Sequence, residues 1–211
     1  HILGKGQLRL AKYLFIVAQE DDANLDVQNE YDFFQHLFSR VDWSRDLHFQ
    51  TKTTMDTLDY SSTGEINEGS KVVCAAVGEK KRELCKDLSK LSLDKGLKPH
   101  LVMPGVLVVE SEDVESVKSK LEHLELEGIA LITLVDDSSF VAADISNWLW
   151  VTFTRSNPAE DIFGLEEGIQ NKHWHCRIPI IDARVKPHHA PAMHMPDEIV
   201  QMAHQKINNA L

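Results

Sequence analysis

The 211-residue sequence lacks several features that would identify a class of protein at once. It has no apolar run near the ~20 residues that a membrane-spanning helix needs. Its three cysteines include no Cys-x-x-Cys pair, which favours buried cytosolic thiols over a disulfide framework. Its net charge of −11 leaves little room for the basic surface that binds nucleic acid. A membrane-spanning protein, a secreted disulfide scaffold and a nucleic-acid partner are therefore not expected.

Recognisable catalytic motifs are also missing. No Gly-x-Ser-x-Gly sequence occurs, and no Ser-His-Asp or Cys-His arrangement is marked by its spacing. Gly4-Lys5-Gly6-Gln7 contains glycines but is neither a dinucleotide-binding nor a Walker sequence. The residues alone therefore assign no catalytic residue and no metal ligand.

Apolar runs and helical patterns alternate along the chain, which predicts an α/β fold. Runs of buried-strand length occur in the first and second halves, and Tyr13–Ala18 is expected to be a buried, parallel strand. Further strands are predicted at 47–49, 72–77, 105–110, 129–135 and 178–181. Helices are predicted around Phe33–Phe38 and over Lys80–Leu91, Glu112–Glu127, Asp144–Thr154 and Asp197–Leu211, the last being amphipathic. Trp148–Val151 is so apolar that a strand is the alternative there.

When the sequence is aligned with itself at an offset of 115 residues, two segments match without a gap. Leu14–Val17 falls on Ile129–Ile132, and Phe38-Ser-Arg40 falls on Phe153-Thr-Arg155. We therefore expect a sheet with helices on its faces, built from two related strand–loop–helix–strand units. The alternative is the ordinary periodicity of an α/β chain, since the identities are few.

Charged pairs recur at the same places in the two segments. Asp21-Asp22 and Asp136-Asp137 follow strands, where they could cap loops or bind Mg²⁺. We expect ion pairs between Arg40 and Asp46, and between Arg155 and Asp161, with a structural role.

Histidines are dense near the C-terminus. Six of the eleven lie between His173 and His204, and Cys176 is among them. Imidazole and thiolate are ligands for Zn²⁺, but this spacing matches no standard zinc motif. An ordered surface tail is the simpler interpretation.

Several stretches, in order, resemble the C-terminal domain of UbiD-type decarboxylases. They are His1–Gln7, Lys12–Val17 with Asp21–Asn24, Phe38–Asp46, Thr57–Ser62, Gly69–Lys71 and Ile181–Pro187. The first 75 or so residues resemble the family well and the last 60 or so more loosely. Val41-Asp42-Trp43 lacks the family's usual proline, and 78–135 resembles an insertion.

The resemblance implies a non-oxidative carboxy-lyase that acts on an aromatic or unsaturated acid, such as a ubiquinone or menaquinone precursor. It implies prenylated FMN with a divalent metal and potassium in the full-length protein. The family's catalytic residues lie in an upstream flavin-binding domain, so no catalytic residue is carried over. Lys5, in the glycine-bearing segment, is the single residue expected near the cofactor.

The chain begins with His1 inside a helical pattern, and we expect it to be a fragment of a longer cytoplasmic protein. Residues 1–196 then form the C-terminal α/β domain, with 78–135 inserted, and 197–211 form a helix that supports a homo-oligomer. The upstream domain is the other expected partner. The alternatives are a non-enzymatic assembly module and, less well supported, a His-rich metal-binding protein.

Overall fold

A computed structural model describes residues 6–191 and 195–208 of the chain. In those residues, ten strands and six α-helices alternate, so the predicted α/β class with a C-terminal helix is confirmed. The strands are β1 (Tyr13–Val17), β2 (Leu47–Thr54), β3 (Glu68–Ala76), β4 (His100–Met103), β5 (Val106–Glu110), β6 (Leu131–Val135), β7 (Ile162–Leu165), β8 (Gly168–Gln170), β9 (His173–His175) and β10 (Ile178–Asp182). The helices are α1 (Glu30–Arg40), α2 (Val114–Leu121), α3 (Ser138–Ala142), α4 (Ile145–Arg155), α5 (Pro158–Asp161) and α6 (Asp197–Asn208).

The strands form two separate sheets and one small hairpin. The first sheet has the order β1-β3-β2, with β3 parallel to β1 and antiparallel to β2. The second has the order β4-β5-β6-β10-β7, with β5, β6 and β10 parallel and both edge strands antiparallel to their neighbours. Strands β8 and β9 pair with each other as the hairpin.

Alternating side chains of the five-stranded sheet enter two cores. Val106 and Val108 of β5 face a core shared with α1, α4 and the first sheet, whereas Leu107 and Val109 face a second core that includes α2. A sheet covered on both faces needs continuous apolar strands, because successive side chains point to opposite faces. This is why the apolar runs at 105–110, 129–135 and 178–181 predicted strands correctly.

Helix α4 is the centre of the shared core. Trp148 is fully buried, and its indole N–H donates to the Thr133 hydroxyl at 3.0 Å. Its ring meets Phe34 of α1 edge-on, with 5.2 Å between the centroids. The helix predicted over Asp144–Thr154 is confirmed, and the alternative of a strand at Trp148–Val151 is wrong.

The helix predicted over Lys80–Leu91 is wrong. Leu84 packs against the shared core, but Leu88 and Leu91 pack against the second core, so these side chains do not form one helix face. The backbone hydrogen bonds also go elsewhere: the Cys85 N–H donates to the Gly128 carbonyl at 2.9 Å. The segment crosses between the sheets, and only 88–90 forms a short 3-10 turn.

The helix predicted over Glu112–Glu127 is too long, because α2 ends at Leu121. The Arg177 guanidinium donates to the carbonyl oxygens of Glu122 at 2.8 Å and Leu124 at 3.2 Å. Those carbonyls are thereby occupied by a side chain rather than by amides of a further helical turn. Residues 122–130 instead form turns that bury Leu126 and Ile129.

Candidate functional site

A buried polar cluster lies where the start of β1, the loop after β2 and the end of α4 meet. The Lys12 ammonium is 2.9 Å from an Asp59 carboxylate oxygen. It donates to the Ser61 hydroxyl at 2.8 Å and to the Ser156 carbonyl at 3.0 Å. Three acceptors therefore satisfy the three donors of an ammonium that is removed from water.

The cluster continues into the segment after β10. The Lys186 ammonium is 3.2 Å from Asp161 and donates to the Asp182 carbonyl oxygen at 2.9 Å. His189 accepts the backbone N–H of Lys186 through its Nδ1 at 3.2 Å. We call the set the Lys12 network; its members are Lys12, Asp59, Ser61, Ser156, Asp161, Asp182, Lys186 and His189.

Burial perturbs the titration of the Lys12 network. It lowers the pKa of Lys12, although Asp59 opposes the effect, and it raises the pKa of Asp161 despite the nearby Lys186. Burial, with Lys186 and His188 nearby, lowers the pKa of His189 to about 4. His189 is therefore neutral near pH 7, which its acceptor role at Nδ1 requires.

This cluster holds parts of the fold in position and offers no free Lys12 donor for a reaction. The three donors of Lys12 are all engaged within the protein, so none is left for a substrate. The cluster ties the first sheet to α4 and to the segment after β10, in a low-dielectric setting where paired charges fix geometry. Sequence reasoning missed it because Lys12 is 47 residues from Asp59 and 144 from Ser156.

The Gly69-Ser70-Lys71 segment lies beside this cluster on β3. Ser70 donates its backbone N–H to the Asn157 side chain at 3.0 Å, and its hydroxyl accepts the Ala159 N–H at 2.7 Å. A side chain at Gly69 would collide with Met55, since a Cβ there would lie 1.9 Å from the Met55 sulfur. The small residues of the segment therefore allow β3 to approach both Met55 and the turn before α5.

The ion pairs predicted within each unit are wrong. Asp46 pairs with Arg45 at 2.5 Å, and Asp161 pairs with Lys186 at 3.2 Å. Arg155 pairs with Asp136 instead, at 3.2 Å. The carboxylates of Asp46 and Asp161 face back into their own turns, where each accepts the backbone N–H of the residue four positions earlier.

The two Asp-Asp pairs have different surroundings. Asp136 binds Arg155, and Asp137 caps α3 by accepting the Phe140 N–H at 2.9 Å. Asp21 accepts the Gly78 N–H at 2.7 Å, whereas Asp22 lines an open cavity of about 540 Å³ beside α1. In residues 6–191 and 195–208, no three His, Cys, Asp or Glu side chains are grouped so that they could hold a metal ion.

The C-terminal histidines that the structure describes are spread over the fold. His173 lies beside His48, with 5.3 Å between the ring centroids, and His188 lies beside His189 at 4.8 Å. Cys74 and Cys176 are buried, as expected, and burial raises the pKa of both thiols. Lys5, His194 and Leu211 lie outside the described residues.

Comparison with known proteins places these features in a family. Residues 1–76 match the 3-octaprenyl-4-hydroxybenzoate carboxy-lyase C-terminal domain, called UbiD_C. That region contains Lys12, Asp59, Ser61 and Ser70. An uncharacterised protein of Chlamydia muridarum is 33% identical over 188 residues, covering 88% of this chain and 32% of its own length.

A second relative has a descriptive name. A protein of Chlamydia pneumoniae named as a 4-hydroxybenzoate decarboxylase subunit is 31% identical over 194 residues, covering 88% of this chain and 31% of its own length. The chain thus spans about a third of the length of these relatives. Among solved structures, the open form of vanillic acid decarboxylase from Sedimentibacter hydroxybenzoicus is 13% identical, covering 77% of this chain and 45% of its own, with a TM-score of 0.35.

A TM-score of 0.35 is too low to support the family assignment, which therefore depends on the sequence match and the named relative. No helix in the described part of the chain is long and apolar enough to cross a membrane. The predicted resemblance to the UbiD-type decarboxylase family is confirmed, because residues 1–76 match the C-terminal domain of 3-octaprenyl-4-hydroxybenzoate carboxy-lyase.

Proposed function

We propose that the chain is the C-terminal part of a UbiD-type carboxy-lyase that removes CO₂ from an aromatic or unsaturated acid, such as a quinone precursor. The match of residues 1–76 to the carboxy-lyase C-terminal domain carries this proposal. The name of the Chlamydia pneumoniae relative supports the same reaction class. Because the chain spans about a third of its relatives, we assign the chemistry to the whole protein, which we place in the cytoplasm.

The cofactor that we propose for the whole protein is prenylated FMN with a divalent metal and potassium. Such a cofactor supplies an electron sink for the carbanion that the loss of CO₂ leaves behind. The described residues contain no group that could hold the metal, so they do not fit a metal site of their own. We therefore assign the metal site to the upstream flavin-binding domain, with Lys5 as the residue of this chain nearest the cofactor.

In this proposal, the described residues position other groups rather than react. In the Lys12 network, Lys12 of the family-matched region donates to the Ser156 carbonyl, and the Lys186–Asp161 ion pair beside it lies outside that region. A rigid C-terminal domain can close against the flavin-binding domain and exclude water from the reaction. The predicted domain of residues 1–196, with 78–135 as an insertion and 197–211 as a separate helix, stays a prediction.

The test is CO₂ release from 4-hydroxybenzoate and related acids by the full-length protein reconstituted with prenylated FMN. We expect turnover by the full-length protein and none by the 211-residue chain alone. Release by the chain alone would overturn the assignment of catalysis to the upstream region. Absence of turnover with every acid in the panel, from a protein that has bound the cofactor, would overturn the carboxy-lyase proposal.

Helix α6 favours the alternative role in assembly. It has no buried residue among those described, and its apolar side chains Ile199, Met202 and Ile207 are about half exposed. An amphipathic helix with an uncovered apolar face is stabilised by packing against another surface. We propose a second copy of the chain as that surface, which makes the full-length protein a homo-oligomer.

Sedimentation of the full-length protein tests this role. Replacing Ile199 and Ile207 by Asp is expected to shift the mass distribution towards the monomer. Replacing the polar Gln201 and Gln205 by Asp adds the same charge without touching the apolar residues, and it serves as the control. If both double variants sediment like the parent, α6 is not an interface.

A further inference from the structure

Two groups of elements share one topology. In the first group β3 lies between β1 and β2, and in the second β10 lies between β6 and β7. In both groups the central strand is parallel to the first strand and antiparallel to the second. Each group has an 11-residue helix after its first strand that ends on an arginine, Arg40 in α1 and Arg155 in α4, although the short helix α3 precedes α4 in the second group.

Contacts around these arginines also recur. After each helix, an aspartate accepts the backbone N–H of the residue four positions earlier: Asp46 at 2.9 Å and Asp161 at 2.6 Å. After each first strand, another aspartate accepts a backbone N–H from the segment just after the central strand: Asp21 at 2.7 Å and Asp136 at 2.9 Å. We infer that the groups are equivalent, which allows position-by-position comparison.

The equivalent arginines differ in their partners. The Arg155 guanidinium is 3.2 Å from the Asp136 carboxylate. Arg40 hydrogen-bonds within its own helix, through one nitrogen that lies 3.2 Å from both the His36 carbonyl oxygen and the Ser39 hydroxyl. Its Nε is buried and has no hydrogen-bond partner in the described part of the chain. Among the described residues, Arg40 therefore lacks the anion that its counterpart has.

Arg40 lines the cavity of about 540 Å³ beside α1. Lys80, Arg82 and Lys86 line it too, and none of the four cations forms an ion pair with a residue in the described ranges. The lining also carries four carboxylates, those of Asp22, Asp26, Asp32 and Glu83, so its formal charge is balanced. An anion would therefore be held here by specific donors such as Arg40 and not by an excess of positive charge.

The other polar residues of the lining are compatible with an anion at Arg40. His36 is 7% exposed, and its Nε2 is buried without a partner among the described residues. Three of the four acidic members of the lining accept local hydrogen bonds: Asp22 from the Asn24 N–H at 3.0 Å, Asp26 from the Gln28 N–H at 2.9 Å and Asp32 from the Asn29 side-chain amide at 2.7 Å. Glu83 is the fourth. An unpaired buried donor costs free energy that a ligand acceptor would recover.

We propose that this cavity is a binding site for an oxyanion, a carboxylate or a phosphate, which contacts Arg40 as Asp136 contacts Arg155. A guanidinium presents paired N–H donors that match either oxyanion. The neutral Nε2–H tautomer of His36 would add a third donor. The site is independent of decarboxylation, since it requires neither the flavin cofactor nor the proposed reaction.

Titration calorimetry of the cofactor-free full-length protein tests the site, with inorganic phosphate and benzoate as separate probes. We expect at least one probe to bind and Arg40→Gln to weaken its affinity tenfold or more. Tighter binding of phosphate identifies a phosphorylated ligand, and tighter binding of benzoate identifies a carboxylic acid. Arg155→Gln is the matched control, and it should leave both affinities within twofold of the parent.

A second pair of variants covers the possibility that Arg40→Gln disturbs folding. Ser39→Asp places a carboxylate beside Arg40 and should abolish binding, whereas the neutral Ser39→Asn should retain it. The proposal is overturned if neither probe binds at millimolar concentration, or if Arg40→Gln and Ser39→Asp both bind like the parent. A failure of the carboxy-lyase proposal would appear in the CO₂ assay and leave these affinities unchanged.

Discussion

The Lys12 network makes a quantitative prediction about stability. Lys12 is buried, with its side chain 8% exposed, and Asp59 is 16% exposed. Asp59 also accepts the Ser61 backbone N–H at 2.9 Å and the Ser61 hydroxyl at 2.6 Å. When Lys12 is replaced by a neutral residue, the Asp59 carboxylate therefore keeps two hydrogen bonds. When Asp59 is replaced by a neutral residue, the Lys12 ammonium keeps only neutral acceptors.

This asymmetry sets the expected costs. Lys12→Met keeps the apolar stem and should lower the free energy of unfolding by about 2 kcal/mol, which is the scale of hydrogen bonds to charged groups. Asp59→Asn should cost more, about 3 kcal/mol, because it leaves a buried charge without its counter-ion. The double variant should cost less than the sum by at least about 1 kcal/mol, because the pair is coupled.

Urea unfolding of the 211-residue chain measures all three values. Lys52 provides the control, because it pairs with Glu68 at 2.7 Å but is 81% exposed. An exposed pair is worth about 0–1 kcal/mol, so Lys52→Met should have a small effect. If Lys12→Met and Lys52→Met change the free energy of unfolding equally, the Lys12 network is not the tie that its burial and hydrogen bonds imply.

Three further predictions concern pH, backbone geometry and thiol reactivity. The pKa of His189 is about 4 in the folded chain and near 6.5 in an unfolded one, so its contribution to stability should be complete above pH 6.5 and be lost as the pH falls towards 4. With allowance for partial exposure, the free energy of unfolding should fall by about 1–2 kcal/mol over that range. Urea unfolding at a series of pH values should show this fall for the parent and a flatter profile for His189→Gln. Gly128→Ala should lower the free energy of unfolding by about 3 kcal/mol, because the φ of Gly128 is +75° and a Cβ would lie 2.5 Å from the Cys85 nitrogen. Gly78→Ala, with a φ of +97° and open space around it, should cost about 1 kcal/mol. Thermal unfolding measures both costs, and equal values would contradict the close approach at Gly128. Under native conditions, a thiol reagent should modify the partly exposed Cys85 well before the buried Cys74, whose pKa burial raises, and equal rates would contradict the packing of β3.

The comparison of the two groups of elements shows what a repeat in the sequence can reveal. The 115-residue shift aligned Arg40 with Arg155 and Asp46 with Asp161; each arginine ends an 11-residue helix, and each aspartate accepts the backbone N–H of the residue four positions earlier. The same shift could not show that Arg155 has an acidic partner and that Arg40 has none among the described residues. That difference accompanies a different turn after each first strand: Asp136 follows β6 directly, whereas its counterpart Asp21 is the last residue of a 3-10 turn after β1.

Most of the α/β class could be predicted from local patterns of apolar residues. Continuous apolar runs marked β5, β6 and β10, because strands covered on both faces cannot alternate with polar residues. The runs at 13–18 and 72–77 also marked strands, but the prediction that 13–18 is buried is wrong, because β1 lies at the edge of its sheet and Ile16 is 42% exposed. Spacing of aromatic residues marked α1 and α4, whose apolar faces meet in the shared core. The ordered motifs of the first 76 residues indicated the family.

The places where distant polar groups meet could not be predicted from local patterns, because they depend on how the chain folds. Leu84, Leu88 and Leu91 have helical spacing, yet they enter two different cores, and periodicity cannot distinguish one apolar surface from two. Lys12 acquires its partners from segments 47 and 144 residues away, and Arg40 remains without a carboxylate partner in the described fold. Local sequence patterns report which side chains leave water, whereas the partners of buried charges are chosen when the two sheets pack together.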